Sequence, residues 1–323
     1  NKPFSEYRKY FFRYASEFGF QSFPSVKTLE TVTDDPKELN PFSYVMEKHQ
    51  RNYGGNGKIA KYMQAAYRYP ENFSDFVYAS QLLQADGIRY GVEHYRRNRG
   101  RCMGAIYWQL NDCWPVISWS SIDYYGRWKA LHYYAKRFFA PVMLSCEEQS
   151  WMTVEADMNR QHFEFEKSIR LNVTNETLDA HRVLVKWAVR KTDATILREE
   201  EQWLEVPVLS AVWMDKVELP QIDCFNEYVS YEAWENDQII SQGTVIFSYP
   251  KYFHYLNPGL AVRVDGDEIV VKAEAYAKSV EIRNENDDLI LEDNYFDMNA
   301  GEYRVKILDG KPDGLKVRSV YDI

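Results

Sequence analysis

The chain has 323 residues, of which 45% are hydrophobic, 27% charged and 16% aromatic, a composition that fits two or three globular domains with sizeable cores. Its net charge of -9 argues against nucleic acid as the main partner, and no apolar run approaches the roughly 18 residues of a membrane helix. The charge is uneven: residues 1–140 hold 20 basic and 13 acidic side chains and residues 141–323 hold 19 and 35, which points to a domain boundary near 140.

Residues 11–18 (FFRYASEF) are aromatic, short and closed by Gly19, the pattern of a buried strand. Residues 58–68 follow the Gly54-Gly55-Asn56-Gly57 punctuation and stop before Pro70, as a helix does. Residues 74–97 form the longest helical pattern. Phe76, Val77, Ala79, Leu82, Leu83, Ala85, Ile88 and Val92 recur at a period near 3.6, and Asn72 or Ser74 can cap the start. A second strand is expected over residues 103–110 (MGAIYWQL), then a helix over about 128–139 that ends at Pro141. Strand, helices, strand, helix is the order of βα units on a parallel sheet.

Past residue 142 the texture turns to short strands and polar turns. Residues 151–156, 168–173, 182–190, 212–218, 228–234 and 239–247 read as strands of an antiparallel sandwich. Beyond Tyr249-Pro250, residues 261–264, 269–275, 280–283, 289–291, 303–307 and 316–321 suggest a smaller sandwich, with turns at Asp265-Gly266-Asp267 and Asn286-Asp287-Asp288. The expected domains are therefore 1–140, 141–248 and 249–323.

Most familiar chemistries find no support. Cys102, Cys113, Cys146 and Cys224 lack metal or redox spacing and read as free thiols of a reducing, cytoplasmic compartment. No signal-peptide pattern opens the chain, and Asn1 in place of Met suggests a piece of something longer. The sequons at Asn72, Asn172 and Asn175 would matter only in a secreted protein. His49, His94, His132, His162, His181 and His254 show no paired spacing, so no metal is expected. Ser16 lacks a nucleophile elbow, and Gly54-Gly55-Asn56-Gly57 lacks the ending of a phosphate loop. Arg96, Arg97, Arg99 and Arg101 sit where a helix C-terminus favours cations. Glu199, Glu200 and Glu201 read as a solvated acidic stretch.

Two places stand out. Glu17 lies at the C-terminal end of its strand, the edge where βα barrels carry catalysis. A carboxylate buried there needs a function or a partner, and a buried pair with Arg13 is the plain alternative. The stretch 107–128 holds Tyr107, Trp108, Trp114, Trp119, Tyr124, Tyr125 and Trp128, with Asn111 and Asp112 just past the strand. Aromatic faces stack on sugar C–H surfaces while amides and carboxylates take hydroxyls. Most of these rings are expected in a core, with Trp108, Asn111 and Asp112 exposed.

Ser16-Glu17-Phe18-Gly19-Phe20-Gln21-Ser22, Tyr107-Trp108-Gln109-Leu110-Asn111-Asp112-Cys113-Trp114-Pro115, the run 118–141 (SWSSIDYYGRWKALHYYAKRFFAP) and Asp293-Asn294-Tyr295-Phe296-Asp297 together resemble the β-mannosidases of glycoside hydrolase family 2. The resemblance spans nearly the whole chain. It implies the C-terminal part of a (β/α)8 TIM barrel, with residues 11–18 and 103–110 as its seventh and eighth strands, followed by two immunoglobulin-like β-sandwich domains. It implies a retaining exo-β-mannosidase acting on β-mannosides or manno-oligosaccharides, with no cofactor. Glu17 falls on the family's nucleophile and Trp108 on its sugar platform, with Asn111 and Asp112 as substrate-binding residues. The family's acid/base, a Glu after an Asn on an earlier strand, has no counterpart ahead of Glu17. About 140 residues also fall short of the roughly 250 of a full barrel. The missing barrel half is then expected from the same parent chain or in trans, and the chain by itself to be inactive. A related exo-β-glucosaminidase is the nearest enzymatic rival. A non-catalytic carbohydrate-binding or scaffolding piece is the rival from another class.

Overall fold

The computed structural model describes residues 2–154 and 164–323. The chain divides into two units, each discontinuous in sequence. The first comprises Asn1–Ser16, Arg89–Ile106 and Lys136–Tyr255, the second Glu17–Ile88, Tyr107–Ala135 and Leu256–Ile323.

Strands β1 (Ala15–Phe18) and β2 (Ala105–Tyr107) form a two-stranded sheet. Met103 N donates to Arg13 O, Ala15 N to Gly104 O and Trp108 N to Phe18 O. Both partners ascend in number, so the strands run parallel, and a parallel pair needs a long crossover. Residues between them supply it with helices α1 (Val26–Leu29), α2 (Tyr44–Lys48), α3 (Gly55–Ala66) and α4 (Phe73–Arg97). Both strands are shorter than expected. Phe11, Phe12 and Tyr14 are exposed rather than buried. An apolar strand is buried only where a layer covers it, and among the described residues each of these strands has the other as its only sheet partner.

Helix α4 begins where its cap predicts: Asn72 Oδ1 accepts from Asp75 N at 2.9 Å. At its other end Arg96 and Arg97 lie in the last turn, as the dipole reading has them, but the side chains also have acceptors of their own. Arg96 and Arg97 are buried. Arg96 Nη1 donates to Phe138 O at 2.7 Å, and Arg97 Nη1 to Cys146 O at 3.4 Å. Arg99 pairs with Glu176 at 3.2 Å. These cations are held by specific acceptors, which a helix end alone does not supply. Helix α5 (Ala130–Phe138) follows β2.

In the first unit β3 (Val142–Gln149), β4 (Ser168–Asn175), β5 (His181–Lys191), β6 (Ile196–Val206), β7 (Ser210–Trp213), β8 (Val217–Glu218), β9 (Glu227–Glu235) and β10 (Gln238–Ile246) form two antiparallel sheets. One has the order β3-β4-β7, with β8 also on β4; the other is β10-β9-β5-β6. Alternate residues point into a shared core, Ile169, Leu171 and Val173 from β4 and Val183, Val185, Trp187 and Val189 from β5, as strand periodicity requires. The strands depart from the expectations in several places: β6 is not among the expected strands, and the expected strand 212–218 is divided between β7 and β8. β3 lies ahead of the first expected sandwich strand, and Trp151–Val154 is a turn rather than a strand; residues 155 and 156, like His162, lie outside the described residues. The Glu199–Glu201 stretch is in strand β6, whose edge position tolerates charge on both faces.

In the second unit β11 (Ala261–Asp265), β12 (Glu268–Ala273), β13 (Ala277–Arg283), β14 (Ile290–Leu291), β15 (Phe296–Met298), β16 (Gly301–Asp309) and β17 (Lys316–Arg318) pair as β11-β12-β16-β14 and β15-β13-β17. Asp265 pairs with Glu268 across a two-residue turn in which Gly266 has a φ of 66°, the hairpin chemistry read from Asp265-Gly266-Asp267. The four cysteines are free. No helix among the described residues is long and apolar enough to cross a membrane.

Candidate active site

Glu17 and Trp108 both lie in the second unit, at the ends of β1 and β2. Trp108 N donates to Phe18 O at 2.8 Å, so the residue after Glu17 is bonded directly to the tryptophan. Glu17 is exposed and makes no hydrogen bond or ion pair among the described residues. The buried pair with Arg13 does not form, since both side chains are exposed. Trp108 is 49% exposed, and the peptide bond from Trp108 to Gln109 is cis. Gly19 is required by the close approach of the two chain segments: a Cβ there would stand 2.4 Å from Trp108 O and 2.9 Å from Trp119 Cδ1.

The loop after β2 is held by its own polar groups. Gln109 Nε2 donates to Asn111 O at 2.9 Å and to Asp112 Oδ1 at 3.0 Å. The Ser118 hydroxyl lies 2.7 and 2.9 Å from the two Asp112 oxygens. Asn111 is exposed, as expected, but Asp112 is only 8% exposed. Its carboxylate is turned to Gln109 and Ser118, so it positions the loop instead of facing solvent. The aromatic cluster also departs from expectation. Tyr124 and Tyr125 are exposed and Tyr107, Trp114, Trp119 and Trp128 half-buried, so none of the seven rings belongs to the buried core. Arg51 stacks on Trp114 at 4.3 Å and His49 at 4.9 Å.

Several supporting residues escaped the sequence reading. Gln84 of α4 is fully buried and gathers three carbonyls, Phe20 O at 2.8 Å, Trp119 O at 3.0 Å and Ser120 O at 3.2 Å. Its Oε1 accepts from Ser22 Oγ at 2.6 Å. The available signal was a polar residue set between Leu83 and Ala85 on an apolar stripe. Ser121 Oγ lies 2.8 Å from Tyr107 Oη and 3.1 Å from His132 Nδ1. Burial lowers the His132 imidazole below its ordinary value and raises the Tyr107 phenol.

Lys129 is 1% exposed and donates to Ser22 O at 3.3 Å. Burial pulls its ammonium down to about 7, against the opposing pull of Asp112 and Asp123. Asp123 is itself occupied by Tyr125 N and Arg127 N, each at 3.0 Å. Loops 18–22 and 109–123 are thus cross-tied beneath two solvent-facing groups, a carboxylate and an indole. That arrangement suits nucleophilic attack on a ring stacked against the indole.

No group of three or more His, Cys, Asp or Glu among the described residues could hold a metal ion. Asn-Glu pairs occur only downstream of the site, at Asn175-Glu176, Asn226-Glu227 and Asn284-Glu285.

Comparison with known proteins locates two family domains. The Mannosidase Ig/CBM-like domain matches residues 167–252, and the Ig-fold domain of the same group matches residues 255–323. Beta-mannosidase B of Thermothelomyces thermophilus is 29% identical over 337 aligned positions, covering 96% of this chain and 39% of that protein. Beta-mannosidase of Capra hircus is 39% identical over 144 residues, covering 41% of this chain and 16% of that one. The chain therefore spans well under half the length of these relatives. Among solved structures, the beta-D-mannosidase of Dictyoglomus thermophilum superposes with a TM-score of 0.84 at 25% identity, covering 98% of this chain and 38% of the other. The exo-chitosanase of Amycolatopsis orientalis shares the fold, with a TM-score of 0.67 at 16% identity over 98% of this chain and 45% of its own.

Proposed function

We propose that the chain, similar over nearly its whole length to β-mannosidases and matching mannosidase Ig-type domains, is the C-terminal portion of a β-mannosidase of glycoside hydrolase family 2 and carries the nucleophile side of a retaining exo-β-mannosidase site. Glu17 attacks the anomeric carbon of a terminal β-mannosyl unit. The bond to the departing oxygen breaks, and a mannosyl ester forms on the carboxylate. Trp108 supplies the stacking face for that sugar, and Asn111 a polar contact to its hydroxyls. Asp112 holds the loop that presents them. A second carboxyl group protonates the leaving oxygen and then activates the water that releases mannose. Retention places it about 5–5.5 Å from the first. That group belongs to barrel strands outside this sequence.

The observation that carries the reading is the pairing of Glu17 and Trp108. They end adjacent parallel strands, both face solvent, and one backbone hydrogen bond ties their neighbourhood together. General acid/base help is typically worth 10²–10⁴-fold, so the chain alone is expected to turn over ordinary mannosides poorly.

The test removes the need for the acid. After incubation with a 2-fluoro-mannosyl fluoride, peptide mass should show one mannosyl adduct on Glu17. Replacing Glu17 by Gln should abolish the adduct. If neither this chain nor a full-length relative is labelled at the matching glutamate, the nucleophile assignment fails.

A further inference from the structure

The first unit carries an open cavity at one loop end of its β-sandwich, within that unit alone and built from none of the residues assigned above. It offers about 430 Å3 and is lined by Trp151, Phe165, Phe225, Glu164, Glu218 and Lys167, among others. We propose that it is a second, non-catalytic site that binds a pyranose unit of a manno-oligosaccharide. The choice of sugar rests on the mannosidase reading; the site itself rests on the following geometry.

The aromatic floor is braced by neighbouring rings. Trp151 follows β3 and is braced edge-on by Phe225 at 5.6 Å, Tyr252 at 5.8 Å and Tyr249 at 6.1 Å. Phe225 in turn stacks on His254 at 5.7 Å, and its backbone N donates to Asp223 Oδ1 at 2.9 Å. Trp151, Phe165 and Phe225 are all only half-buried. A braced, partly solvated aromatic surface suits the C–H face of a pyranose, and the size falls in the range of small-molecule sites.

The polar groups fit the same ligand. Glu164 and Glu218 are exposed, and their side chains make no hydrogen bond or ion pair among the described residues. Each is an acceptor only and can take the hydroxyl hydrogens of a neutral sugar. The ammonium of Lys167 is given to Ile222 O at 3.0 Å, and Glu166 is paired with Lys216. Two carboxylates uncommitted among the described residues, beside a committed cation, turn away phosphorylated or carboxylated ligands. Loop ends of β-sandwiches are also where such domains place their binding residues.

The experiment is isothermal titration of the full chain with β-1,4-mannotriose, run on a Trp108→Ala background so that the catalytic subsite contributes no heat. Saturable one-site binding is expected. Glu218→Gln, an exposed change that leaves the fold alone, should weaken it at least about tenfold, as should Phe225→Ala in a sample that keeps its thermal transition. Glu17→Gln should leave it unchanged. No saturable heat up to about 10 mM with either mannotriose or a glucosamine trimer, or binding indifferent to both Glu218→Gln and Phe225→Ala, would overturn the site. Binding of a glucosamine trimer with none of mannotriose would overturn the sugar assignment. Each result is independent of whether Glu17 is labelled by the fluorosugar, so the two proposals fail separately.

Discussion

Lys129 is a buried base whose nearest formal acceptor is a single carbonyl, Ser22 O at 3.3 Å. An ammonium so placed forfeits hydration that one long hydrogen bond and two carboxylates do not replace. Its ordinary value of 10.5 falls to about 7 in the fold. Between those two pH values the unfolded chain holds a proton that the folded chain has released. The unfolded state then binds more protons, and stability rises with pH. Below about pH 7 both states are charged, and the contribution is flat at its least favourable. Urea unfolding at steps from pH 7 to 9 should therefore show Lys129→Met losing its relative advantage as pH rises, because the wild type gains stability that the variant cannot. A difference between the two that stays constant over that range would mean the amine is charged throughout. Nothing in the run Trp128-Lys129-Ala130 announces this, since a lysine before a helix ordinarily faces water. Its burial depends on Ser22, Asp112 and Asp123, each remote or loop-borne.

Whether an element could be read depended on whether its partners are local. Helix α4 was legible from its own period and its own cap, and it begins within one residue of the expected start. Strand β3 was not. Its second half, Ser145-Cys146-Glu147-Glu148, looks like a turn, yet Glu148 is 3% exposed at the side chain and paired with Arg8 at 2.9 Å. Tyr90 donates to the same carboxylate at 2.6 Å. Burial alone would raise the Glu148 carboxyl, but Arg8, Tyr90 and Arg89 together hold it below the usual range. The partners stand 140 and 58 residues away, beyond any local pattern. Removing one member of a buried pair strands the other charge, at about 3–5 kcal/mol. Glu148→Ala is accordingly expected to lower the unfolding free energy by that amount in urea, with the secondary-structure signal of the folded state unchanged. A loss under about 1 kcal/mol would show that Arg8 relaxes to water instead. The sequons behave in the same way: Asn172 and Asn175 are fully buried, the second with its amide on Asp179 O and Pro207 O, so neither can carry a glycan in the fold.

At the scale of the whole chain, apolarity and burial separate most clearly around β1 and β2. The sequence motifs placed Glu17 and Trp108 on neighbouring strand ends, and that adjacency needs only the parallel pairing. A barrel remnant of about 140 residues also implies uncovered strand edges and apolar faces, and the structure identifies the side chains concerned. In the first unit Tyr10, Phe11, Phe12, Tyr14, Met103 and Ile106 are 41% to 62% exposed, where a monomeric globular surface usually scatters such residues singly. Among the described residues each strand of the pair also has a second edge with no sheet partner, a template for pairing with another chain. These two features act together, since an edge supplies hydrogen bonds and the rings supply the area removed from water. The isolated chain is therefore expected to self-associate and to bind a hydrophobic dye. Sedimentation velocity should show species larger than monomer at about 100 μM. Phe11→Ser with Ile106→Lys should shift the distribution toward monomer by removing apolar area and adding charge at the edge. Added barrel strands of a full-length relative, supplied as a separate fragment, should compete with self-association for the same surface. A wild-type chain that stays monomeric at that concentration and leaves the dye dark would mean these rings fold onto one another in solution, and the surface would no longer support assembly with a barrel half.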